Sequence, residues 1–195
     1  MDVAALHAAV DGIRARPGAG HYRFFAVNRW LDGSKTRTTV NGCKAGNGDE
    51  HPRTRPLVVE SDVPAFLPGG DRGMDPLELL LAAVGACLTR TLVWHASILG
   101  VHLDAVDVQV EGDIDLAGWL GVDDRVSAGY RQIHIAVLLE AEVSSTALDD
   151  LLRIAIRLSP VCNTVTQFVS LKVGRAGAAS PVRSRTHRER AGGRK

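Results

Sequence analysis

The stretch DRGMDPLELLLAAVGACLTRTLVWHASILG, Asp71–Gly100, decides the fold. Asp75, then Pro76, then Glu78 three residues after the aspartate has the form of a helix start. It supplies a capping side chain, a proline in the first helical position and an acid able to reach back. Gly100 fits the position just past a helix end. Pro76 to Leu99 would span roughly 36 Å at about 1.5 Å per residue. The segment is apolar on nearly all sides, interrupted by Glu78, Arg90 and His95. That predicts a helix buried in the middle of a protein or of a dimer, and not a membrane span. Cys87 stands at its centre. A thiol in an apolar helix is commonly inert packing, and becomes a nucleophile where a nearby cation favours the thiolate. Arg90, three residues on, shares the face of Cys87; the competing reading of Arg90 is a charge pointing out to water. His95 reads as a hydrogen-bonded core histidine.

Outward from this helix, the N-terminal side opens with Val3, Leu6, Val10 and Ile13 at helical spacing, ended by RPGAG. HYRFFAVNRW and KTRTTVNG, joined by LDGS, read as two strands of a hairpin. CKAGNGDEHPRTRP reads as a polar loop containing Cys43, LVVES as a short strand, and DVPAFLPGGDRG as a loop. On the C-terminal side, Val106, Val108 and Val110 alternate as a strand with one wet face. LAGWLGVDDRVSAG reads as a loop, either a cover for a pocket or plain surface. YRQIHIAVLLEAE reads as a second strand, SSTALDDLLRIAIRLSP as a capped helix, and VCNTVTQFVSLKVG as a closing strand. The class is α+β, an antiparallel sheet packed on helices. The domain organisation is a helical extension at 1–20, one domain at 21–174 and a tail at 175–195.

The chain has 195 residues, 45% apolar, enough for a real core. Its net charge of +1 is uneven. The last 21 residues hold seven Lys and Arg against Glu189. Taking these from the totals of 23 and 22 leaves 16 basic and 21 acidic residues, a net of −5. An acidic body gives no footprint for specific nucleic-acid binding, and the tail reads as solvated and disordered. No export signal is visible, so a reducing cytoplasm is expected. Three cysteines, Cys43, Cys87 and Cys162, with no C-x-x-C spacing argue against a disulfide scaffold or a structural zinc site. Phosphate-loop, dinucleotide and serine-hydrolase motifs are absent.

Two separated pieces, DRGMDPLELLLAAVGACLTRTL and LSPVCNTV, resemble the central helix and the second cysteine region of the OsmC/Ohr family, the osmotically inducible and organic-hydroperoxide-resistance proteins. The order of elements from His21 to Gly174 agrees. The resemblance implies an OsmC-like fold with two central helices in an intertwined homodimer, and active sites at the subunit interface. It implies reduction of organic hydroperoxides by Cys87, with Cys162 as the candidate resolving thiol, an external dithiol as reductant, and no metal or organic cofactor. Arg29, Arg37 and Glu78 are the candidate thiolate partners. The sequence departs from the family pattern at two positions: Leu77 stands where a catalytic glutamate would follow the proline, and Ser159 stands where the resolving cysteine would precede Pro160. The competing reading is a non-enzymatic dimer that holds an apolar small molecule in its interfacial pocket, with Cys87 as lining. A third is a peroxidase that uses Cys87 alone.

Overall fold

The computed structural model describes residues 2–175; the basic tail expected to be disordered lies, but for Arg175, outside them. Helix α1, Val3–Ala15, is capped by Asp2, whose Oδ1 accepts from the Ala5 amide at 2.9 Å. Strands β1 (Tyr22–Phe24), β2 (Val27–Asp32), β3 (Lys35–Ala45) and β4 (Glu50–Ser61) form one antiparallel sheet. β3 is its spine. β1 and β2 pair with successive parts of one side of β3, and β4 pairs with the other. The aromatic run expected as one strand is therefore two, Tyr22 facing Ala45 and Val27 facing Thr39.

The polar segment expected as a loop around Cys43 is instead sheet. β3 runs on to Ala45 and β4 begins at Glu50, with Cys43 paired between Phe24 and His51. Pro52 and Pro56 obscured this in the sequence. They are tolerated because β4 is an edge strand, bonded only to β3. The kink between the two halves falls at Gly42, where the β3–β4 register shifts. Its φ is +120°, and a Cβ there would lie 2.2 Å from the His51 carbonyl oxygen. We expect Gly42→Ala to destabilise the fold by about 1–3 kcal/mol, read from the urea midpoint; an unchanged midpoint would mean that the bulge carries no strain.

The loop from the sheet to the long helix is fastened by Asp62. Its carboxylate accepts from the Ser34 hydroxyl at 2.6 Å, the Val63 amide at 2.9 Å and the Arg72 amide at 3.3 Å. Helix α2, Pro76–Ile98, then starts with the expected reciprocal cap: Asp75 accepts from the Leu77 amide, and Glu78 accepts from the Asp75 amide, both at 2.8 Å. Gly100, at φ +74°, follows its end. α2 has the length and apolarity of a membrane-crossing helix, but one of its faces is packed on other elements of the same chain.

Those elements are β5 (Ala105–Asp113), β6 (Gln132–Glu140), α4 (Ser145–Leu158) and α5 (Pro160–Thr166). β5 and β6 form a second, two-stranded antiparallel sheet, with Ala105 opposite Glu140 and Asp113 opposite Gln132. Val106, Val108 and Val110 turn inward against α2, as their alternation predicts. Gly85 lets α2 approach, since a Cβ there would meet Val110 at 3.1 Å. The core joins Val84, Leu88, Leu92 and Ala96 of α2 to Leu151 and Ala155 of α4 and Cys162 of α5. Between β5 and β6 lies the short helix α3, Leu116–Trp119, capped by Asp115, which also pairs with Arg131 at 2.6 Å.

The C-terminal expectation needs correction. Ser159–Pro160 does not end in a strand but starts α5, with serine as the cap and proline in the first turn. Residues 167–175 have no regular structure, although Phe168, Leu171 and Val173 are 96%, 87% and 87% exposed. The four-stranded sheet is equally uncovered. Phe24 and Trp30 are 78% and 72% exposed, and among the described residues β1–β4 make no substantial contact with the helices of their own chain.

Candidate active site

Cys87 lies in the middle of α2 with its side chain turned toward the start of α5. It is buried, and its sulfur accepts a hydrogen bond from Arg90 Nη2 at 3.6 Å. Arg90 follows by three residues, so one turn of helix brings the two together as the spacing predicts. The guanidinium also stacks over the Trp94 ring, 5.3 Å from its centre. Trp94 is four residues further on and fixes the arginine over the thiol from the far side. This i, i+3, i+7 line was present in the sequence, but only its first two members signalled chemistry.

Ser159 approaches Cys87 from α5. It is fully buried. Its Oγ accepts the Cys162 amide at 3.4 Å as the cap of α5. That uses a lone pair of the hydroxyl and leaves its proton free to donate. Burial, the largest single influence, pushes the Cys87 thiol up. The Ser159 hydroxyl, the Val161 backbone N–H and the Arg90 charge together outweigh it and bring the thiol below its ordinary value. The serine that departs from the family pattern therefore stands beside the sulfur and favours its charged form.

Glu78 is spent on the helix cap. It lies nine residues before Cys87, about 13 Å along the axis. Arg29 and Arg37 face each other across β2 and β3. Arg37 Nε donates to Glu60 Oε1 at 3.0 Å, and neither arginine influences the sulfur within the chain. Cys162 is buried in the apolar core, a cluster that Cys87 does not join. Cys43 is half-buried on the separate sheet, and all three cysteines are free thiols. His95 is half-buried, about 12 Å along α2 from Cys87. Among the described residues no three His, Cys, Asp or Glu side chains gather as metal ligands. A hollow of about 240 Å³, lined by Gln109, Glu111, His134, Ile135 and Ala136, opens on the outer face of β5 and β6, with none of the residues around Cys87 in its wall.

A family model described as OsmC-like protein matches residues 69–174, the part of the chain that carries α2, Cys87 and Ser159. No curated protein matches the sequence. Among solved structures, an OsmC-like protein from Mycoplasma pneumoniae is similar with a TM-score of 0.56 at 14% identity, over 74% of this chain and 87% of that one. An OsmC-like protein of unknown function from Vibrio cholerae is similar with a TM-score of 0.51 at 11% identity, over 72% of this chain and 92% of that one. At such identities the likeness is one of fold, and the α+β architecture of antiparallel sheets and helices is that of these proteins. With more than half of its length matched by the family model, this chain belongs to the OsmC-like protein family.

Proposed function

We propose that the chain reduces organic hydroperoxides at Cys87, as a homodimer in a reducing cytoplasm. The observation that carries this reading is the surroundings of the sulfur: a buried thiol held toward its charged form by a serine hydroxyl, a backbone amide and an arginine. A thiol that merely lined an apolar pocket would have no use for them, so the arrangement favours the peroxidase over a non-enzymatic binding protein. The thiolate attacks the terminal oxygen of the hydroperoxide. The O–O bond breaks, the alcohol departs with a proton, and the sulfur becomes a sulfenic acid. The steps need no metal or organic cofactor.

The homodimer is supported by the uncovered sheet and by the free face of α2, where Leu80, Ala83, Ala86, Arg90 and Trp94 follow one another unpacked. In a dimer the sheet of one copy would cover this face of the other, and Arg29 or Arg37 would be carried toward the partner's site; the activation argued here needs only Arg90. The test is thiol titration of the reduced protein mixed with cumene hydroperoxide at neutral pH. We expect thiol loss at least about a hundredfold faster than for free cysteine. A rate equal to that of free cysteine would end the peroxidase reading.

A further inference from the structure

We propose that Cys87 works as a one-thiol centre: its oxidised sulfur is discharged by an external thiol that forms a mixed disulfide with it, and Cys162 takes no part. This rests on the peroxide reading above and specifies how the site is reset. The side chain beside the Cys87 sulfur at the start of α5 is that of Ser159, whose hydroxyl favours the charged sulfur but forms no disulfide. Cys162 is one turn further into α5. Its amide is engaged by Ser159 Oγ, and its side chain fills the core beside Val84, Leu88, Leu151 and Ala155. To bond to Cys87, it would have to unwind the capped start of α5 and vacate an apolar site. Both moves cost stability.

An external thiol faces neither obstacle. Cys87 is buried at 6% exposure, and Arg90, which contacts its sulfur, lies on the face of α2 that its own chain leaves free, so in the proposed dimer an external thiol would reach the sulfur along the seam between the two copies. The chemistry balances with two equivalents of thiol. The sulfenic acid and the first thiol condense to a mixed disulfide and release water. A second thiolate attacks the external sulfur of that bond, returning Cys87 as a thiolate and leaving as the oxidised external disulfide. Per cycle one hydroperoxide is reduced to its alcohol and two external thiols are oxidised.

The experiment uses the full chain in a Cys43→Ser background, so that only Cys87 and Cys162 are counted. One arm treats the reduced protein with cumene hydroperoxide, then dimedone or 2-mercaptoethanol, and reads intact mass. The expected result is one dimedone or one mercaptoethanol group on Cys87, one remaining free thiol, and turnover with 2-mercaptoethanol unchanged within about twofold by Cys162→Ser. The other arm uses diamide, which oxidises neighbouring thiols whether or not the protein is a peroxidase. We expect no Cys87–Cys162 disulfide in this background. Adding Ser159→Cys is expected to give an internal disulfide to Cys87 within minutes. A Cys87–Cys162 disulfide in either arm, or turnover lost with Cys162→Ser, overturns the one-thiol centre. Failure of Ser159→Cys to bond to Cys87 would show that position 159 does not face the sulfur and overturns it as well. If diamide gives the expected pattern but the hydroperoxide leaves Cys87 untouched, the peroxide reading fails while the separation of the two thiols stands.

Discussion

Cys87→Ser is expected to bring hydroperoxide consumption down to the buffer background, a loss of at least about a thousandfold, the scale on which removing a nucleophile acts. The substitution is nearly isosteric, but a serine hydroxyl stays protonated where the thiol ionises, and no sulfur remains to take the oxygen. The companion change is Arg90→Met, which keeps much of the volume and removes the charge. Burial alone pushes the Cys87 thiol up, and Arg90 is one of three groups that reverse it. The wild-type thiol ionises below its ordinary range, so oxidation stays fast as pH falls toward neutral and slows only when pH drops through that lowered value. In Arg90→Met the value rises, and the acid limb of the pH–rate profile moves to higher pH. At neutral pH the rate falls about tenfold or more, and part of it returns on going alkaline. An unmoved limb would remove Arg90 from the mechanism. Residual activity in Cys87→Ser above a few per cent of wild type would place the nucleophile elsewhere.

Leu92→Ala carries the second large effect, on stability. Leu92 is 0% exposed and lies where α2 meets α4 and α5. Shortening it removes three buried carbons and leaves a void that rigid helices fill only in part, which costs about 2–5 kcal/mol. The urea midpoint reports this directly if the slope stays unchanged. α4 and α5 meet at Ser159, so the same void loosens the support of the serine and the Val161 amide beside Cys87. A loss below about 1 kcal/mol would mean that the three helices are not packed on one another as described.

The long helix was legible because its signals are local. Cap, proline, apolar run and terminal glycine all lie in Asp75–Gly100, and Cys87 and Arg90 are one turn apart within it. The second half of the site was not legible. Ser-Pro after an amphipathic helix marks a stop as readily as a start, and here the start won: Ser159 caps α5, and the strand expected from Val161 onward is absent. The sequence showed that a cysteine was missing at Ser159. It did not show that the hydroxyl in its place would be buried and would favour the charged sulfur, because that interaction joins residues 72 positions apart. Trp94 was hidden for another reason: an aromatic in an apolar helix is ordinary packing, and only the position of the Arg90 guanidinium makes it a support. The misread segment around Cys43 failed on composition. Charges, glycines and two prolines lower strand propensity, and the edge position that tolerates them is a property of the sheet rather than of the segment.

The uncovered sheet has a kinetic corollary. In most small domains collapse is unimolecular, because each sheet finds its cover in its own chain. In the dimer proposed above, β1–β4 would hide Phe24, Trp30, Val58 and their neighbours against another molecule, since among the described residues no helix of their own chain packs substantially on them. Encounter would then become part of the folding reaction. Newly made chains at low copy number would wait with adhesive strands on display, and the second-order step would set how long they stay vulnerable to proteases and to wrong neighbours.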